Sequence, residues 1–205
     1  MIEVGNLIRV LKKNKVNFFT GVPDSILKEF SIYIDKYSQN KHVLATNEGA
    51  ATSIGIGYYL STKKIPCVYL QNSGLSNAIN PLISISSKEV YSIPLLLLIG
   101  WRGSPRQPDE PQHKAKGKIT TKLLKLLNIN FCTLRKEKDL SKIQNLIKKA
   151  YKSKKVVACL IEKNILKSKI ENIKKLKKKF FLRSEFIENF LKSIPKKSKI
   201  ISTTG

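Results

Sequence analysis

Eight residues from Ile93 to Gly100, IPLLLLIG, carry neither a charge nor a polar side chain. The run has the length of a strand, and a strand without polar alternate positions has both of its faces covered. Other short, mainly apolar runs lie at 16–20, 42–46, 65–70, 131–134 and 156–161. Helical spacing separates them. Val4, Leu7, Ile8 and Leu11 recur on one face, and Ile26, Leu27, Phe30 and Ile34 do so within a helix expected over 25–37. A small, apolar helix is expected over 50–60, a helical stretch interrupted at Pro81 over 74–86, and further helices over 119–127 and 140–151. Strand, loop and helix in repeated order predict an α/β fold, a parallel sheet of about six strands with helices on both faces.

In such sheets ligands gather at the loops that leave the C-terminal ends of the strands. The polar, Gly-bearing segments 21–25, 47–49, 71–74 and 101–118 occupy those places. This first domain reads as residues 1–163. Residues 164–183 are mostly Lys, Asn and Ile and read as a linker. Ser184 is placed to cap a helix running to about Ser193, with Glu185 in its first turn. A strand is expected over 199–203, so that residues 184–205 read as the start of a second domain cut short.

The net charge of +25 raises the question of nucleic acid. Of 39 basic residues only five are Arg, at positions 9, 102, 106, 135 and 183. The planar Arg fork is the usual reader of phosphates and base edges. Here the charge is Lys spread over helix faces and crowded into 163–179, which argues for solvated surfaces or an acidic small substrate rather than nucleic acid. No apolar run reaches the roughly 18 residues of a membrane span, and the amphipathic N-terminus lacks the form of a secretory signal. Cys67, Cys132 and Cys159 are far apart in apolar stretches, as buried free thiols in a cytoplasmic protein would be.

Several common signatures fail. Gly55-Ile-Gly57 lies inside a helical stretch and has Leu60 at the third Gly position of a dinucleotide fingerprint. Ser73 lacks the GxSxG frame, and neither His42 nor His113 has metal-ligand spacing to Cys or carboxylate partners. Other segments carry more. They are Thr20-Gly-Val-Pro-Asp-Ser25, Thr46-Asn-Glu-Gly-Ala50 and Gln71-Asn-Ser-Gly-Leu-Ser-Asn77, with Ile99-Gly-Trp-Arg-Gly103 and Asp109-Glu-Pro-Gln-His113 following. By residue chemistry alone, Glu48 reads as a carboxylate at a loop or helix start, Asp24 as a helix N-cap, and Asn72, Ser73 and Gly74 as a polar strand-exit turn. Arg102 and Arg106 read equally as solvated loop residues or as anion holders.

In this order the segments resemble the phosphonopyruvate decarboxylases, within the family of thiamine-diphosphate-dependent 2-oxoacid decarboxylases. The resemblance is strong over residues 1–135 and weaker over 184–205. It implies a pyrimidine-binding domain and thiamine diphosphate as cofactor. It implies that Glu48 hydrogen-bonds the cofactor's pyrimidine nitrogen and favours its imino tautomer, with Asn72, Ser73 and Gly74 in contact with the ring. Asp24 becomes a candidate proton relay, and His113 a candidate relay or orienting group. Ser25, Arg102 and Arg106 become candidate substrate contacts. The implied reaction converts 3-phosphonopyruvate to phosphonoacetaldehyde and carbon dioxide in phosphonate biosynthesis.

The family pattern also implies Mg2+, held by hard oxygen ligands on a diphosphate-binding domain or subunit that meets this one across a chain–chain interface. No metal ligand is assigned to this chain, which is expected to be inactive without that half. The implied assembly is a homo- or hetero-oligomer. Sulfopyruvate decarboxylase, whose two domains are separate chains, is the nearest alternative. A non-catalytic, basic nucleic-acid-binding protein is the alternative of another class, and salt-dependent DNA binding would mark it.

Overall fold

A computed structural model describes residues 1–168, 182–195 and 197–200. The chain divides into two compact units, Met1–Lys169 and Ile170–Gly205. The first unit is an α/β domain. Six parallel strands, β2 (Phe19–Gly21), β3 (His42–Leu44), β4 (Cys67–Gln71), β5 (Leu96–Gly100), β6 (Asn130–Leu134) and β7 (Val157–Ile161), pair in the order β3-β2-β4-β5-β7-β6. The expected class and strand number hold.

The two-residue period of the strands sorts their side chains onto two cores. Cys67, Tyr69, Leu96, Leu98, Val157, Cys159 and Ile161 enter one core, which α1 (Val4–Lys13), α2 (Lys28–Tyr37) and α6 (Leu140–Ser153) cover. Val68, Leu70, Leu97, Ile99, Ala158 and Leu160 enter the other, beneath α3 (Glu48–Thr62), α4 (Leu75–Pro81) and α5 (Pro111–Leu126). Every residue of β5 and β7 is buried, as a strand covered on both faces requires. Phe19, Phe30 and Tyr69 meet edge to face at 5.9 and 5.8 Å in the first core. Beside them the Tyr69 hydroxyl lies 2.8 Å from His42 Nε2. Burial lowers the His42 pKa from its ordinary value, against the opposing pull of Asp35.

Several elements differ from expectation. The helix expected from Ser25 starts at Lys28, because a turn over 25–27 precedes it. The segment read as a loop to Lys118 becomes helical at Pro111, a residue suited to a first helical position because it has no N–H to satisfy. His113 therefore lies in the first turn of α5 rather than in a loop. Pro81 does not interrupt the helical run. Helix α4 passes into a π-type turn over Leu82–Ser86. A two-stranded parallel ribbon was not foreseen. In it β1 (Ile2–Glu3) pairs with β8 (Leu166–Lys167), so the first unit extends beyond the expected boundary at residue 163. Two residues each are too short for periodicity to reveal.

The expected linker over 164–183 and the strand over 199–203 lie largely outside the described residues. In the second unit, α7 (Arg183–Ser193) begins one residue before Ser184. The Leu182 N–H donates to Glu185 Oε2 at 2.9 Å, so the acidic residue helps fasten the start of the helix. Among the described residues no helix is long and apolar enough to cross a membrane.

Candidate active site

The chain leaves β2 toward one core and β4 toward the other, although the two strands are neighbours. That divergence opens a crevice at their C-terminal ends, the place where parallel α/β sheets bind ligands. Asp24 follows β2, Glu48 follows β3, Asn72 to Gly74 follow β4, and Arg102 follows β5. Parallel pairing throughout puts all of them on the same sheet edge.

Glu48 is the first residue of α3. The Asn47 side chain caps this helix, accepting from the Ala50 N–H at 2.8 Å. The Glu48 carboxylate accepts from Asn77 Nδ2 at 2.9 Å. It lies against the backbone of Gly74, where an added Cβ would overlap the carboxyl group. The close approach of α3 to α4 has a second basis. Pro81 has no N–H to donate to the Asn77 carbonyl four residues back, and that carbonyl faces Gly49 at a distance that leaves no room for a side chain. Ser73 is half-buried and accepts from Gln71 Nε2 at 2.5 Å.

A second group of side chains adjoins this one through the same turn. Asn72 does not point into the crevice as a free amide. It accepts from the Arg102 N–H at 3.0 Å and donates to the Arg102 carbonyl and to Thr120 Oγ1, both at 2.9 Å. It thus ties the exits of β4 and β5 together. Arg102 is gripped by both oxygens of Asp109, at 2.6 and 2.8 Å, and its Nη1 donates to Ser25 Oγ at 3.2 Å. The Gly103 and Glu110 N–H groups also donate to Asp109. The bidentate Arg102 pair holds the Asp109 carboxyl well below its usual range. Gly103 makes this tight return with a φ of +66° and with its Cα against the His113 carbonyl, where a side chain would collide.

Asp24 is 8% exposed. Its Oδ2 accepts from the N–H groups of Ile26 and Leu27 at 3.1 and 3.2 Å. It therefore makes the capping bonds expected of it, but to the turn before α2 rather than to the helix itself. Its Oδ1 is buried without a hydrogen-bond partner among the described residues. Burial raises the Asp24 pKa, against those backbone bonds and the nearby Arg102 charge. A buried carboxyl with one orphaned oxygen holds its proton more readily than an exposed one.

Folding therefore favours protonated Asp24, and stability from this group is lost as pH rises through its folded pKa. Asp24→Asn is expected to raise stability at neutral pH by about 1 kcal/mol, a Tm gain of about 2–4 °C. The gain should vanish below the ordinary value of 3.8, where Asp24 is itself neutral. Calorimetric melts of both chains across pH check it, and an Asn variant less stable at pH 7 would contradict it.

His113 and Arg106 follow the same strand, β5, farther along the chain. His113 is half-buried, and its carbonyl packs on Gly103. Arg106 is exposed, and its charge acts on Glu162. Sequence reasoning passed over three supports. Asn77 and Asp109 stand inside the quoted motifs but carry their meaning only through partners distant in sequence. Glu162, 3% exposed, accepts from Arg135 at 3.0 and 3.1 Å and from Ser104 at 2.9 Å, anchoring the loop after β5. Its one signal is a lone carboxylate ending an apolar run. Among the described residues there is no group of three or more His, Cys, Asp or Glu side chains placed to hold a metal ion.

The crevice fits an aminopyrimidine in several respects. A carboxylate stands on a glycine floor, and a buried acid oxygen lies in the neighbouring loop. Comparison with known proteins places the chain in a family. Residues 4–123 match the family described as thiamine pyrophosphate enzyme, N-terminal TPP binding domain. The phosphonopyruvate decarboxylase of Streptomyces viridochromogenes is 34% identical over 131 residues, 64% of this chain and 32% of that protein. That of Streptomyces hygroscopicus is 31% identical over 134 residues, covering 65% and 33%. The chain thus spans about a third of the length of these relatives. The sulfopyruvate decarboxylase subunit alpha of Methanocaldococcus jannaschii is 32% identical over 123 residues, covering 60% of this chain and 70% of that subunit. The family match takes in more than half of the 205 residues and contains every element of the crevice, and the chain belongs to the thiamine pyrophosphate enzymes through their N-terminal, cofactor-binding domain.

Proposed function

We propose that this chain forms the pyrimidine-binding half of a thiamine-diphosphate-dependent decarboxylase whose substrate is 3-phosphonopyruvate and whose products are phosphonoacetaldehyde and carbon dioxide. The observation that carries this reading is the placement of Glu48, fixed at the start of α3 over Gly74 and oriented by Asn77 at the switch point of the sheet. Bound thiamine diphosphate supplies a nucleophilic carbon and an electron sink, which a chain of ordinary side chains lacks.

Glu48 holds and returns a proton at the pyrimidine nitrogen. Asp24 Oδ1 exchanges a proton near the reacting carbons, with Ser25 and the edge of Arg102 beside it orienting the substrate. Ser73 and Gly74 contact the ring, and Asn72 supports it by fixing the turn. His113 orients the substrate or relays protons, and Arg106 holds its anionic group.

The diphosphate and its Mg2+ are held on a second domain or subunit, so that the working enzyme is an oligomer in the cytoplasm. Three free thiols suit that reducing compartment. The likeness to a sulfopyruvate decarboxylase subunit alpha supports a partner subunit. The same subunit favours a second reading, decarboxylation of sulfopyruvate, a substrate of similar shape and charge.

The test is complementation. The chain alone is expected to bind thiamine diphosphate weakly and to release no carbon dioxide. With a diphosphate-binding partner it should turn over 3-phosphonopyruvate in preference to sulfopyruvate. The opposite preference would establish the second reading. Tight, Mg2+-dependent cofactor binding by the chain alone, followed by calorimetry, would show that the metal site has been misplaced.

A further inference from the structure

Strands β6 and β7 place two cysteines side by side. Cys132 and Cys159 are direct register partners in the parallel ladder. Both side chains turn to the core beneath α1, α2 and α6: Cys159 is a fully buried member of it, and Cys132 packs against it while staying partly exposed. Neighbouring strands lie about 4.8 Å apart, inside the Cα separations of about 4.4–6.8 Å that a disulfide spans. The Cβ atoms of a parallel pair must still draw together slightly. Among the described residues, strand β6 is the sheet edge, hydrogen-bonded on one side only, and is free to make that adjustment. Cys67 faces the same core from β4, but β5 lies between β4 and β7, so two strand spacings separate it from Cys159. That distance is too great for a bond.

We propose that Cys132 and Cys159 form a reversible, peroxide-responsive dithiol site, with Cys132 as the attacking thiol and Cys159 as the resolving one. The exposure of Cys132 on an edge strand admits a small hydroperoxide, while Cys159 is closed to it. The surroundings assign the same roles. The contact with Cys159 and the Lys142 charge lower the Cys132 pKa against burial and Asp139, whereas burial raises that of Cys159.

In the first step the Cys132 sulfur attacks the peroxide. An S–O bond forms, the O–O bond breaks, and water or an alcohol leaves with the thiol proton. The peroxide is reduced by two electrons and Cys132 becomes a sulfenic acid. Next the Cys159 sulfur attacks that of Cys132. An S–S bond forms, the S–O bond breaks, and the departing hydroxide takes the Cys159 proton as water. A strained cross-strand disulfide reduces easily, so an external dithiol restores both thiols by exchange.

The experiment treats the full chain with hydrogen peroxide, blocks remaining thiols under denaturing conditions, and maps peptides by mass spectrometry. The expected result is an intramolecular Cys132–Cys159 link with the loss of two hydrogens, Cys67 remaining alkylatable, and full recovery with dithiothreitol. Cys132 should be consumed at least about tenfold faster than Cys67. Cys132→Ser should abolish the link and leave Cys67 and Cys159 free. Cys159→Ser, checked for folding by circular dichroism, should let Cys132 proceed to sulfinic and sulfonic acids that dithiothreitol does not reverse. Free Cys132 after excess peroxide, a link through Cys67, a link between two chains, or sulfinic acid at Cys132 in the unmodified chain would each overturn the proposal.

Discussion

Glu48→Gln is expected to lower carbon dioxide release by about 10²–10⁴-fold in the complemented enzyme, the range for loss of a general acid–base group. The fold should be unaffected, with Tm within about 2 °C of the parent. The variant is informative because Gln retains every structural contact Glu48 makes. Its side-chain carbonyl can still accept from Asn77 Nδ2, it fits over Gly74, and it follows the same Asn47 cap. What it loses is a proton that can be given up and regained. Cofactor affinity should fall far less than turnover, because an amide still hydrogen-bonds a ring nitrogen. Single-turnover carbon dioxide release and calorimetric titration separate the two effects. Parental turnover in the Gln variant would remove Glu48 from the chemistry.

The sheet was legible because its residues obey local rules. The run IPLLLLIG supplies β5 with its last five residues, all buried, and Val4, Leu7, Ile8 and Leu11 fall into the core at the spacing that marks them. The sequence also showed that Asp24, Glu48 and the turn from Asn72 to Gly74 would share an edge, since each follows a strand of one direction. It did not show how they are held. The family resemblance implies a ring contact for Asn72, and residue chemistry alone a polar strand-exit turn; its amide is taken up by Arg102 and Thr120, 30 and 48 residues away. The sequence leaves Arg102 equally a solvated loop residue or an anion holder. The structure pairs it with Asp109, so it offers the crevice one edge of a neutralised fork. Such pairings depend on chain reversals that no local period encodes. Asp109 binds Arg102 only because Gly103 turns the loop back on itself.

The same dependence on distant partners sets the second large effect, at Gly74. Gly74→Ala is expected to cost about 10²-fold in turnover, the scale of an ångström-sized misplacement of a catalytic group. Gly74 has φ −82° and ψ −6°, a conformation Ala adopts without strain. The backbone therefore gives no reason for glycine there. The reason lies across the crevice, where the new methyl group would overlap the Glu48 carboxyl. That carboxyl is the end of a flexible side chain, so it swings aside, gives up Asn77, and leaves the position from which it meets the cofactor. Stability should change little, because only a partly exposed side chain moves. The effect should also be non-additive. With Glu48 already replaced by Gln and turnover already lost, adding Gly74→Ala should cost much less than it does alone, because both changes act through one carboxyl group. A double-mutant cycle on single-turnover rates measures this coupling directly. If the two losses instead multiply in full, Gly74 serves the cofactor through its own backbone, and Glu48 is not held by the turn beneath it.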